Sequence, residues 1–95
     1  MVSTRLARWI RSTYPGISAD AVLRELAVLD RAAEVAGGQN PERIAAALAF
    51  IGAGDMSRFR EALELLQIDW RDVLVMGGLG GESWPADLER LLGED

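Results

Sequence analysis

The sequence predicts an all-α domain, a compact bundle of five or six short helices around a central Ala-rich apolar helix. Three observations carry that expectation. Apolar residues recur at spacings of three and four along most of the chain, the period of a helix buried on one side. The breaks between these runs are short clusters of Gly, Pro, Ser, Asn and Asp, the residues that cap and end helices. One stretch, Ile44 to Ile51, is apolar nearly all round, which marks a helix enclosed by its neighbours. The connections are about two to six residues long, as in a small bundle. Residues 1–95 therefore read as a single helical domain.

The first helix is expected from about Thr4 to Tyr14, with Leu6, Trp9, Ile10 and Thr13 on its apolar face. Pro15-Gly16 stops it, because proline lacks an amide hydrogen and disfavours the helical state of Tyr14. Ser18 is a suitable N-cap for the second helix, with Asp20 in the first turn, where the helix dipole favours an anion. Its main stripe is Val22, Leu26, Leu29 and Ala33, and Asp20–Arg24 forms an i,i+4 pair. Gly37-Gly38 ends it. The third helix opens with Asn40-Pro41-Glu42: cap, proline at the first helical position, acid at the positive end. It continues through the Ile44–Ile51 run, and its alanines allow neighbouring helices to come close.

The fourth helix runs from Asp55 to about Ile68, with Phe59, Leu63 and Leu66 on one face and Ala62 beside them. Asp69 caps a fifth, with Asp72 at the position a capping box gives to Glu or Gln. Trp70, Val73, Leu74 and Met76 are expected to pack inward. Val73-Leu74-Val75 could instead form a short strand, but no second strand is visible to pair with it. Gly77-Gly78-Leu79-Gly80-Gly81 is a loop and a candidate hinge, with Gly77, Gly78, Gly80 and Gly81 as its movable points. Ser83-Trp84-Pro85 starts the last helix, with Leu88, Leu91 and Leu92 as its face.

Composition excludes much chemistry. The chain holds no cysteine and no histidine. Disulfides, zinc fingers, haem and iron–sulfur ligation, cysteine nucleophiles and histidine-dependent triads are all removed. No lysine is present, so the glycine stretch is not a G-x-x-x-x-G-K-[ST] phosphate loop. It also lacks the G-x-G-x-x-G pattern. The acid pairs Glu61/Glu64, Asp69/Asp72 and Asp30/Glu34 fit no calcium-loop pattern and read as caps and solvated faces. No cofactor and no metal are expected. The most apolar run is about half the length a bilayer span requires. Arg5, Arg8 and Arg11 are followed by no leader-like apolar run, so the expected location is cytoplasmic.

Charge is distributed unevenly. The net charge is −5, yet Arg5, Arg8 and Arg11 begin the chain with no acid among the first 17 residues. The end is acidic, with Glu82, Asp87, Glu89, Glu94 and Asp95 against Arg90. A basic amphipathic first helix with Trp9 and Tyr14 could bind an anionic membrane or an acidic partner, or dock on its own acidic terminus or that of a second copy. These features point to a small cytoplasmic protein–protein interaction or regulatory module, homodimeric and acting through helix faces. The expected interaction residues are Arg5, Arg8, Trp9, Arg11, Trp84 and Leu88, with Trp84 as the anchor. An acidic helical binder that neutralises a basic protein is the alternative. Weaker readings are a helix-turn-helix nucleic-acid binder using Arg58 and Arg60, and an enzyme using carboxylates, arginine or Tyr14. Nucleic acid is disfavoured because phosphate binding depends on clustered positive charge. No catalytic residue is assigned, and the chain is not expected to be an enzyme.

Overall fold

Asn40, Asp55 and Asp69 each stand at the head of a helix and satisfy its first amides. Asn40 Oδ1 accepts from Glu42 N–H at 2.9 Å, Asp55 Oδ1 from Ser57 N–H at 2.8 Å, and Asp69 Oδ1 from Arg71 N–H at 3.0 Å. Ser3 does the same for Leu6 N–H. These caps open four of the helices in the computed structural model, which describes residues 2–30 and 40–93. The order is α1 (Thr4–Thr13), α2 (Gly16–Asp30), α3 (Pro41–Gly52), α4 (Met56–Ile68), α5 (Trp70–Met76) and α6 (Trp84–Leu92). No strand occurs among the described residues, and 73–75 are helical. The ends proposed for the second helix, with Ala33 and Gly37-Gly38, lie outside the described residues.

The core forms around α3, which touches each of the five other helices. Ala46, Ala47, Leu48 and Ala49 have no exposed surface, and Ile44 and Ala45 are buried with them. Phe50 is half-buried, its ring 4.9 Å from that of Trp9 in an edge-to-face contact. Leu6 and Ile10 of α1, Val22 and Leu26 of α2, Phe59, Ala62 and Leu66 of α4, Val73 and Leu74 of α5, and Leu88 and Leu92 of α6 close the core. Tyr14 joins it from the extended residue after α1. Its hydroxyl donates to Ala49 carbonyl oxygen at 2.7 Å, and burial raises its pKa above the ordinary 10.0.

Several expectations are corrected. Helix α2 starts two residues before Ser18, because the Pro15 carbonyl already accepts Ala19 N–H at 2.7 Å. Proline's missing donor costs nothing at a helix start, so Pro15 both ends α1 and begins α2. Asp20 therefore lies beyond the first turn and pairs with Arg11 at 3.2 Å. Thr13 is exposed because Tyr14 takes its place in the core. Met76 is 63% exposed: α5 spans two turns, and Val73 and Leu74 occupy its inward side. Leu91 is 47% exposed on the flank of the buried Leu88–Leu92 stripe. Asp72 has no capping-box donor to serve, since Asp69 N–H bonds to Leu65 carbonyl at 2.7 Å.

The glycine loop has a definite structure. Leu79 N–H bonds to Leu74 carbonyl at 2.8 Å and Gly78 N–H to Val75 carbonyl at 3.1 Å, a Schellman ending with Gly78 at φ 79°. Leu79, two residues past the cap, is fully buried. Gly77 lies so close to α3 that a Cβ there would fall 2.7 Å from Ala47 Cα. We predict that Gly77→Ala loses about 1–3 kcal/mol, the cost of overpacking against backbone. Gly81→Ala has open space and no positive φ, and changes stability by less than about 0.5 kcal/mol. Urea unfolding followed by far-ultraviolet circular dichroism measures both.

Candidate functional site

The arginines of α1 are turned largely to the protein's own structure. Arg5 makes a two-pronged contact with Glu42 in the first turn of α3: Nε donates to Oε2 at 2.9 Å and Nη2 to Oε1 at 2.7 Å. Ser3 Oγ also bonds Glu42 Oε2, and Arg5 Nη1 reaches Gly93 carbonyl oxygen at 3.2 Å. One guanidinium thus fastens α1 to α3 and to the end of α6. Arg11 pairs with Asp20 in the open, and Arg8 is exposed. The bonds from Arg5 hold the Glu42 carboxyl below its ordinary 4.5, outweighing the opposing effect of burial, and the Ser3 hydroxyl adds to the lowering.

Trp9 and Trp84 are half-buried and pack on the core. Trp84 lies under the Arg43 guanidinium, whose carbon is 5.1 Å from the ring centroid. Arg43 also donates to Leu79 carbonyl oxygen from Nε at 3.0 Å and Nη2 at 2.8 Å. It therefore holds the glycine loop and the start of α6 together. Leu88, expected at an interface, is a fully buried core residue. Of the four hinge candidates, Gly77 and Gly78 belong to the Schellman ending, while Gly80 and Gly81 lie exposed beyond the Leu79 anchor. The long-range contacts of Glu42 and Arg43 escaped sequence reasoning because their partners are 36 or more positions away, and no local spacing marks such contacts.

Two of the apolar grooves between helices are formed by described residues. One, of about 550 Å³, lies along α1 and α2 and is lined by Arg11, Ile17, Asp20, Leu23, Arg24 and Ala27. The other, of about 400 Å³, is lined by Ile51 of α3, by Arg58, Glu61, Ala62 and Leu65 of α4, and by Met76 of α5. On α4 the residues Arg58, Glu61, Leu65 and Ile68 follow one another at helical spacing and form one stripe. Ile68 is 82% exposed. Here a continuous apolar strip ends in one cation and one anion, neither of which forms an ion pair with any described residue.

Elsewhere the surface mixes signs. Helix α4 bears Arg58 and Arg60 with Glu61 and Glu64, α5 bears Arg71 beside Asp72, and α6 bears Asp87 and Glu89 with Arg90. An acidic face made for a basic partner would gather the acids, and a nucleic-acid surface would gather the arginines. Among the described residues no three acids come together as a metal-binding group. None of their helices is long and apolar enough to cross a membrane.

The Glu42 contacts yield a pH prediction. A carboxyl with a lowered folded pKa stabilises the fold above its unfolded value and loses that contribution as pH falls through the folded one. Glu42→Gln should cost about 1.5–3 kcal/mol at neutral pH, the range of hydrogen bonds to charged groups. The difference between wild type and variant stays constant down to about the ordinary glutamate pKa of 4.5 and shrinks below it. Urea titrations across the acid range give that difference directly.

No known protein family, curated protein or solved structure matches the chain.

Proposed function

We propose that this chain is a small protein–protein interaction module of the cytoplasm, acting through a helix face and not through catalysis. The α4 groove carries the reading. Leu65, Ile68 and Met76 leave apolar surface in water beside a concavity floored by Ala62. Single exposed apolar residues are ordinary, but a grouped apolar strip with a polar rim is the form of an interaction surface. Its i, i+3, i+7, i+10 spacing suits a helix laid along it. The polar groups best placed for chemistry are engaged internally, which favours the same reading: Tyr14 donates to Ala49 and Glu42 binds Arg5.

A photoreactive amino acid at Ile68, with another at the exposed Glu82 as control, tests this in the native host. The expected result is a discrete protein adduct from position 68 and none from position 82. Equal labelling at the two positions, or no adduct at either, would overturn it.

A further inference from the structure

We infer that α6 is a hinged lid. It swings out as one unit about residues 80–83 while α1 to α5 stay folded, and Arg43 and Arg5 are the clasps that hold it shut. This goes beyond the helix-face reading, since none of the residues lining the α4 groove belongs to α6.

The hinge has a fixed side and a moving side. Leu79 is fully buried; its N–H is held by Leu74 carbonyl oxygen and its own carbonyl oxygen by Arg43. The chain is therefore anchored up to that residue. The next four, Gly80 to Ser83, are exposed. Among the described residues their backbone bonds lead only into α6: Gly81 carbonyl oxygen accepts Trp84 N–H at 3.3 Å, and Ser83 carbonyl oxygen accepts Asp87 N–H at 3.0 Å. The space around Gly81 is open. A rotation there carries residues 82–93 outward without breaking a backbone–backbone bond to the rest of the fold.

Little apolar surface holds the lid. Helix α6 buries Leu88 and Leu92 and half-buries Trp84, and elements with few buried contacts open at low free energy. Its Asp87–Arg90 ion pair lies within the helix and travels with it. Two arginines supply the remaining hold, one at each end. The Arg43 guanidinium covers Trp84 while it binds Leu79. Arg5 Nη1 donates to Gly93 carbonyl oxygen at 3.2 Å while its other nitrogens bind Glu42. Glu42 and Arg43 are consecutive in the first turn of α3, so both clasps are anchored at one point of the central helix. Opening frees the Leu88–Leu92 stripe and bares the sides of α1 and α3 on which α6 lies. That seat is a helix-binding surface which α6 itself fills in the closed form.

Amide hydrogen exchange, followed residue by residue by nuclear magnetic resonance, tests the lid. Glu64 is exposed in the interior of α4, a helix that stays folded in the closed and the open form. Glu64→Gly should speed exchange of the Ala46 to Ala49 amides about three- to fivefold, the effect of glycine inside a helix, and leave the amides of Leu88 to Leu92 unchanged. Arg43→Ala removes contacts made only in the closed form, and should speed the Leu88 to Leu92 amides by about tenfold or more, as the loss of hydrogen bonds from a charged donor does. Circular dichroism verifies that each variant folds. The Glu64→Gly comparison leaves the clasps intact, so it tests the hinge even where Arg43→Ala does not fold. If Glu64→Gly speeds the α6 amides by the same factor as those of α3, α6 opens only with the whole molecule and the lid is overturned. If Arg43→Ala leaves the α6 amides at wild-type rates, Arg43 is no clasp and the inference fails there.

Discussion

Everything in this fold depends on how closely other segments can approach α3. Its inner residues are chiefly alanines, and Ala46, Ala47 and Ala49 expose no surface. A helix with small side chains lets its neighbours come nearer than leucines would, and close-packed interiors tolerate little deviation from that fit. The turn at Gly77 rests directly on Ala47. That contact places Leu79 in the core and its carbonyl oxygen within reach of Arg43. Arg43 in turn covers Trp84, where α6 begins. At the C-terminal end of α3 Tyr14 reaches Ala49, and at its N-terminal end, beside Arg43, Glu42 receives Arg5. The arrangement of the outer helices follows from the narrowness of the central one.

Such a design spends its polar groups on construction. The better-placed arginines and the tyrosine hold helix to helix, so the chain meets its surroundings with the outer sides of its helices. Where the outer side of α4 adjoins α3 and α5, the apolar strip and its two opposite charges remain uncommitted. The site and the fold are thus parts of one pattern. The same α4 that buries Phe59, Ala62 and Leu66 inward presents Arg58, Glu61, Leu65 and Ile68 outward.

The fold class was readable because its signals are local. Asn40-Pro41-Glu42, Asp55 and Asp69 mark helix starts through hydrogen bonds spanning two or three residues. The apolar run of α3 identifies the enclosed helix without any partner in view. Local signals failed where one residue performs two tasks or where a segment is short. Pro15 reads as a stop and also serves as a start. Met76 and Leu91 match their neighbours in composition and differ only in which side other helices happen to cover. The glycine stretch reads as loose from composition, yet Leu79 within it is an anchor, a role set by the Schellman geometry and the distant Arg43. Of the groove, Arg58, Glu61 and Leu65 are visible as one helical stripe. That Ile51 and Met76 join them is a consequence of packing between helices, which the order of residues does not disclose.

The enclosed position of α3 is tested most directly by native-state hydrogen exchange along the chain at increasing urea. The amides of Ala46 to Ala49 should exchange only when the whole molecule unfolds, with an opening free energy equal to that of global unfolding. Exchange of those amides through a smaller local opening, as readily as the amides of α6, would contradict the account.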